Sequence, residues 1–138
     1  MRILGIDYGV RRIGLALSDP DGILASPLPV YVRADLRSDI DHVAQLVHEH
    51  EVGRIVIGLP LNMDGTIGDM ADEVAVFADR LRERLKVPVV TFDERLTSEE
   101  AERVLIQADI SRKKRKEIKD SLAAVLILQG YLERARNR

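Results

Sequence analysis

Three carboxylates stand where the sequence makes an ionised group costly or out of place. Asp7 comes directly after the apolar run Ile3 to Ile6, Glu94 follows Val89-Val-Thr-Phe92 with Asp93 beside it, and Asp120 heads a stripe with Ala124, Ile127 and Tyr131 at i+4, i+7 and i+11. A carboxylate at the end of a buried strand needs a cation or hydrogen-bond donors to remain charged. Each has an ordinary alternative: Asp7 as acceptor in the Tyr8-Gly9 turn, Glu94 as an acidic helix entry, and Asp120 as a first-turn residue on a helix dipole. Adjacent strand residues point to opposite faces, so only one of Asp93 and Glu94 can join Asp7 directly. If the three converge with no lysine to neutralise them, their repulsion calls for divalent cations, and an all-oxygen set suits Mg²⁺ or Mn²⁺. Two such ions about 3.5 to 4 Å apart activate water and stabilise the leaving oxygen in phosphodiester hydrolysis.

Basic residues lie near the same positions. Arg11, Arg12 and Arg95 flank the two acidic strand ends, and Arg112, Lys113, Lys114, Arg115 and Lys116 form a denser run, read here as a loop. The net charge of −2 conceals a split, with −8 over residues 1–110 and +6 over 111–138. Such an asymmetry points to a polyanion at the C-terminal end, with the 112–116 cluster on phosphates. The segment from Pro60 to Asp69 contains Gly65 and Gly68 and precedes a helix, so its backbone N–H groups could also receive a phosphate. His42, His48 and His50 do not have zinc-ligand spacing. With five Phe and Tyr residues and no Trp, recognition of backbone and shape is expected rather than broad base stacking.

The elements that must position these residues follow from periodicity. The opening run reads as a central strand buried on both faces. Residues 12 to 19 alternate, with Ile13, Leu15 and Leu17 on one side and Gly14, Ala16 and Ser18 on the other. The stretch Ile23 to Val32 carries Pro27 and Pro29 and therefore belongs at an edge. Ile40, Val43, Ala44 and Val47 predict a helix from Arg37 to near Gly53, and Arg54 to Gly58 is a short buried strand. A second helix presents Ala71, Val74, Ala78, Leu81 and Leu85 and stops at Pro88. Val87 to Phe92 is the last strand; Thr97-Ser-Glu-Glu100 caps a helix with Ala101, Val104, Leu105 and Ala108 buried, and a final helix runs to about Arg134. Right-handed crossovers make the last two strands parallel to the first. The result is an α/β fold, a mixed five-stranded sheet of three antiparallel and then two parallel strands with helices on both faces. Asp7, Pro60 and Glu94 fall at the carboxyl ends of its parallel strands, where ligands bind in such sheets.

Composition agrees. A chain of 138 residues that is 46% hydrophobic and 32% charged supports one compact domain, residues 1–138, and excludes disordered and collagen-like classes. The absence of cysteine excludes disulfides, zinc-cysteine sites and thiol nucleophiles. The opening apolar run is too short for a signal peptide or membrane span, so a cytoplasmic protein without a membrane partner is expected.

Four segments, Gly5-Ile-Asp-Tyr-Gly-Val-Arg-Arg-Ile-Gly14, Gly58-Leu-Pro-Leu-Asn-Met-Asp-Gly65, Phe92-Asp-Glu-Arg-Leu-Thr97 and Lys119-Asp-Ser-Leu-Ala-Ala124, closely resemble the YqgF/RuvX family of RNase H-like nucleases. The order and spacing of all four make the resemblance specific, and it covers nearly the whole chain. It implies metal-dependent catalysis by Asp7, Glu94 and Asp120 on structured nucleic acid, either in processing the 5′ end of pre-16S ribosomal RNA or in resolving Holliday junctions. Whether Asp93 touches metal is open. Junction resolution needs two coordinated cuts and so a symmetric pair of sites, which leaves monomer and homodimer as alternatives. Gly5-Ile-Asp-Tyr-Gly9 also resembles the phosphate loop of actin-like and sugar-kinase ATPases, which bind nucleotide between two such domains. A noncatalytic RNA-binding assembly factor is the third class.

Overall fold

The apolar run that opens the chain becomes the centre of a five-stranded sheet in the computed structural model, which describes residues 1–60, 68–94 and 112–136, the side chains of residues 69 and 112–120 excepted. The strands are β1 (Arg2–Tyr8), β2 (Arg12–Ser18), β3 (Ala25–Val32), β4 (Val52–Leu59) and β5 (Val89–Asp93), and the helices are α1 (Leu36–Glu49), α2 (Asp69–Arg84) and α3 (Arg112–Arg136). The sheet order is β3-β2-β1-β4-β5, with β1, β2 and β3 antiparallel in sequence and β4 and β5 parallel to β1. This is the expected topology, and the proline-bearing β3 lies at an edge where a missing donor costs no ladder bond.

Strand alternation divides the core in two. Leu4, Ile6, Ile13, Leu15, Ile55 and Ile57 pack with Ile40, Val43, Val74, Phe77, Ala78 and Leu81 of α1 and α2. On the other face Ile3, Ala16, Val56 and Phe92 pack with Ala124, Val125, Ile127, Leu128 and Leu132 of α3. The approach of α3 is close because β1 carries a glycine there. A Cβ on Gly5 would lie 2.7 Å from the Leu128 Cβ and 3.2 Å from the Ala124 carbonyl oxygen. Ser121 and Gln129 tie the helix down, donating to the Leu28 carbonyl at 2.9 Å and holding the amide of Ala25 at 2.9 Å and the carbonyl of Ile23 at 3.0 Å.

Two expectations are corrected. Helix α1 is capped by the Asp35 side chain, which accepts from the Ser38 amide at 2.8 Å, and it ends at Glu49 rather than near Gly53. Glu51, at φ 52°, makes the left-handed reversal that glycine usually supplies, and Gly53 lies inside β4, where a Cβ would overlap the Met1 side chain. The basic run 112–116 is helical rather than a loop, forming the first turns of α3. Lys, Arg and Glu are good helix formers, and with no apolar period in that run the sequence pattern did not register them as helix. Non-helical backbone angles at Ser121 kink α3 between this basic half and its apolar half. The helix expected after Thr97 lies outside the described residues. Among the described residues no helix is long and apolar enough to cross a membrane.

Candidate active site

Asp7 lies at the carboxyl end of β1, on the face covered by α3, with no bulky neighbour on either side. Its antiparallel partner is Gly14, and a Cβ placed there would sit 3.5 Å from both the Asp7 Cβ and the Ala124 Cβ. On the other flank is β4, whose Gly58 pairs with Phe92 of β5. A Cβ on Gly58 would overlap the Ile127 Cδ1, come 2.7 Å from the Glu94 Oε1 and 3.0 Å from its Cγ. The bare backbone of Gly58 is therefore the path by which Glu94, directly after β5, reaches across β4 to Asp7.

The choice between Asp93 and Glu94 follows from alternation. Phe92 packs in the core beneath α3, so position 94 shares its face and position 93 takes the opposite one. Glu94 accordingly hydrogen-bonds Asp7, and both carboxyl groups are shifted upward by their burial. Burial, then the negative charge of Asp7, the bond to it and the charge of Asp93 push Glu94 up to about 7. Burial likewise raises Asp7, with the bond from Glu94 opposing it. In the turn that follows β1, the Gly9 amide donates to the Arg12 carbonyl at 2.9 Å and not to Asp7.

Asp120 lies in the basic half of α3, immediately before the kink and one turn ahead of Ala124; its side chain is outside the described residues. Arg11 and Arg12 are exposed on the β1–β2 hairpin, whose turn follows Tyr8. Arg95 lies outside the described residues, as do residues 61–67 of the segment between β4 and α2. Among the described residues no group of three potential metal ligands forms, but the Asp7–Glu94 pair is an oxygen-only, acid-rich donor set of the kind that hard divalent cations bind. Gly14 and Gly58 are the residues whose part the sequence reading missed. The available signal was a glycine inside a buried strand, which marks a close approach.

A model of the RuvX family, described as Holliday junction resolvase, matches residues 1–134. A protein of Thermoanaerobacter pseudethanolicus named "Putative pre-16S rRNA nuclease" is 48% identical over 139 residues, covering all of both chains. Its namesake in Syntrophomonas wolfei is 52% identical over 133 residues, 96% of this chain and 94% of that one. Among solved structures, Thermus thermophilus RuvC superposes with a TM-score of 0.60 at 15% identity over 99% of this chain and 96% of that one. The fowlpox virus Holliday junction resolvase gives 0.57 at 13% over 98% and 99%. At those identities the likeness is one of fold. The match of nearly the whole chain to the family model and the full-length relatives agree, and the chain belongs to the RuvX family.

Proposed function

We propose that this chain is a cytoplasmic, metal-dependent nuclease, its 138 residues forming one RNase H-like domain that hydrolyses phosphodiester bonds in structured nucleic acid. The observation that carries the reading is the meeting of the Asp7 and Glu94 carboxyl groups over the bare backbone of Gly58. Two carboxyl groups from separate strands are brought together over a glycine, at an electrostatic cost that a divalent cation would remove. Asp7, Glu94 and Asp120 would hold Mg²⁺ or Mn²⁺, which when bound supplies Lewis acidity and an activated water. Before a cation can be held, Glu94 must release its proton, and a group pushed up to about 7 does so near neutral pH. Arg11 and Arg12 on the hairpin, Arg95 and the basic half of α3 with Arg112, Lys113, Lys114, Arg115 and Lys116 would bind phosphates along the substrate.

Pre-16S rRNA is the favoured substrate, because full-length relatives near 50% identity are named for it; cutting at its 5′ end is what the family resemblance implies. Holliday junction resolution is the second reading, favoured by the description of the family model, and it requires a homodimer. Purified protein incubated with 5′-extended 16S precursor and with a four-way DNA junction, with and without Mn²⁺, tests both. The expected result is Mn²⁺-dependent cutting of the precursor that Asp7→Asn abolishes. Paired symmetric cuts in the junction alone would establish the second reading, and binding without cutting would make the chain a noncatalytic RNA-binding factor.

A further inference from the structure

Arg33, just past the end of β3, has a guanidinium fixed on three sides. Its Nε donates to the Asp39 Oδ2 at 2.9 Å, and the Asp39 side chain is fully buried while that of Arg33 is 19% exposed. The other Asp39 oxygen accepts the Ala34 amide at 3.1 Å. The guanidinium carbon stands 4.4 Å from the centre of the Tyr8 ring, which itself lies 4.4 Å from that of Phe77. Finally, Nη1 donates to the carbonyls of Gly9 and Val10, both at 3.1 Å.

These two carbonyls belong to the hairpin between β1 and β2, which presents Arg11 and Arg12. The backbone of the same residue reaches the hairpin again, the Arg33 amide donating to the Arg11 carbonyl at 2.9 Å. Thermodynamic stability alone gives a poor account of the arrangement. A buried ion pair contributes little beyond what apolar side chains of equal size would. The bond to Val10 is exposed, so water would replace it at small cost. What the bonds do provide is orientation, since only a planar fork can grip a carboxylate through Nε and two consecutive carbonyls through Nη1.

Resting on the nuclease reading, we propose that Arg33, locked by Asp39, is a positioning residue that sets the hairpin so that Arg11 and Arg12 meet the substrate backbone. Its own charge is spent on Asp39 and the carbonyls, so it acts through the hairpin rather than on phosphate.

The test is a double-mutant cycle read by binding, which does not depend on cleavage. Fluorescence anisotropy with a labelled precursor-rRNA stem is measured for wild type, Arg33→Lys, the Arg11→Ala/Arg12→Ala pair and the triple variant. Arg33→Lys should weaken binding about 5- to 10-fold, and about as little as nothing further in the Arg11→Ala/Arg12→Ala background. In cleavage it should raise KM with kcat within about twofold, and Gly9 amide exchange should quicken. A variant that melts lower yet binds like wild type would make the pair merely structural. A loss that adds in full to the double variant would place Arg33 elsewhere in recognition. If Arg33→Lys does not fold, Asp39→Asn enters the same cycle with the same expected and opposing outcomes. A wild-type protein that binds neither RNA nor a DNA junction would bring down the nuclease reading and this proposal with it.

Discussion

The two faces of the sheet are built from different kinds of residue. Beneath α1 and α2 lie large aliphatic side chains, buried and interlocked with Phe77 of α2. Beneath α3 the positions around the site are Gly5, Gly14, Ala16 and Gly58, with Ala124 above them. Large side chains keep a helix at a distance and fill the gap with dispersion contacts. Small ones let α3 approach closely and leave space for Asp7 and Glu94 to meet. One face supplies stability, and the other gives up packing volume to hold two carboxyl groups that repel.

The faces should therefore fail in opposite ways. Phe77→Ala leaves a cavity in the first and should cost about 3 to 5 kcal/mol of stability, measurable by urea unfolding, while folded protein keeps its cleavage rate. Asp7→Asn removes a charge from the second and should lower cleavage by at least about 100-fold. Without metal and above the Glu94 value of about 7, where both groups are ionised, it should melt no lower than wild type because repulsion is relieved, and its melting point should no longer rise with Mn²⁺. A destabilised Asp7→Asn protein with an intact Mn²⁺ response would return Asp7 to a turn role.

Within the α3 face, two glycines separate packing from chemistry. A methyl group on Gly5 meets the Leu128 Cβ and the Ala124 carbonyl, which can yield only if the helix moves, so Gly5→Ala should cost about 1 to 3 kcal/mol. The same methyl on Gly58 meets the flexible ends of Ile127 and Glu94. Gly58→Ala should lose less than about 1.5 kcal/mol and yet cut activity about 10-fold or more, since the carboxyl of Glu94 is turned away from Asp7. Equal activity in Gly58→Ala and wild type would show that the path over Gly58 is not needed.

The same contrast decides what was legible in the sequence. The face of large residues was, because Ile13, Leu15 and Leu17 or Val74, Ala78 and Leu81 repeat at the strand and helix periods. So were the strand directions, the edge position of β3 and the carboxylates at strand ends. Gly14 and Gly58 carry no hydropathy signal; a glycine inside a buried strand marks a close approach, but what approaches emerges when three strands and a helix are placed together. Arg33 and Asp39 were hidden for a similar reason: neither interrupts an apolar pattern, and their pairing depends on how the chain turns from β3 into α1. The 112–116 run shows the complementary failure, where helix propensity without amphipathicity was read as a loop.

The upward shifts of Glu94 and Asp7 make the α3 face sensitive to pH. Glu94 is raised from 4.5 to about 7, and Asp7 is shifted in the same direction. The native metal-free protein thus binds protons that the unfolded chain has already released. Stability from this pair is complete below the ordinary glutamate range and falls as pH rises through about 7. The melting temperature in EDTA should fall from pH 5 to pH 8 more steeply for wild type than for Glu94→Gln. The stabilisation by Mn²⁺, which must displace the proton, should grow over the same interval. Parallel curves for the two proteins would separate Glu94 from Asp7.

The smallest effect concerns the two halves of α3, which the kink at Ser121 divides. The apolar half packs on the sheet and the basic half carries Arg112, Lys113, Lys114, Arg115 and Lys116. If the basic half meets phosphates, each contact releases counterions, and affinity falls linearly with the logarithm of salt concentration. Changing Lys113, Lys114 and Arg115 to Ala should reduce that slope by about 2 to 3. Because the segment is helical and alanine is the best helix former, the variant removes charge without removing the element, which would not hold for a loop. Helicity by circular dichroism and the Mn²⁺ shift should therefore stay as in wild type, confining the change to binding. An unchanged salt slope would detach the basic half from the substrate and leave phosphate binding to the hairpin arginines. A reduced slope accompanied by a lost Mn²⁺ response would instead mean that this half positions Asp120, five residues beyond Arg115 on the same helix.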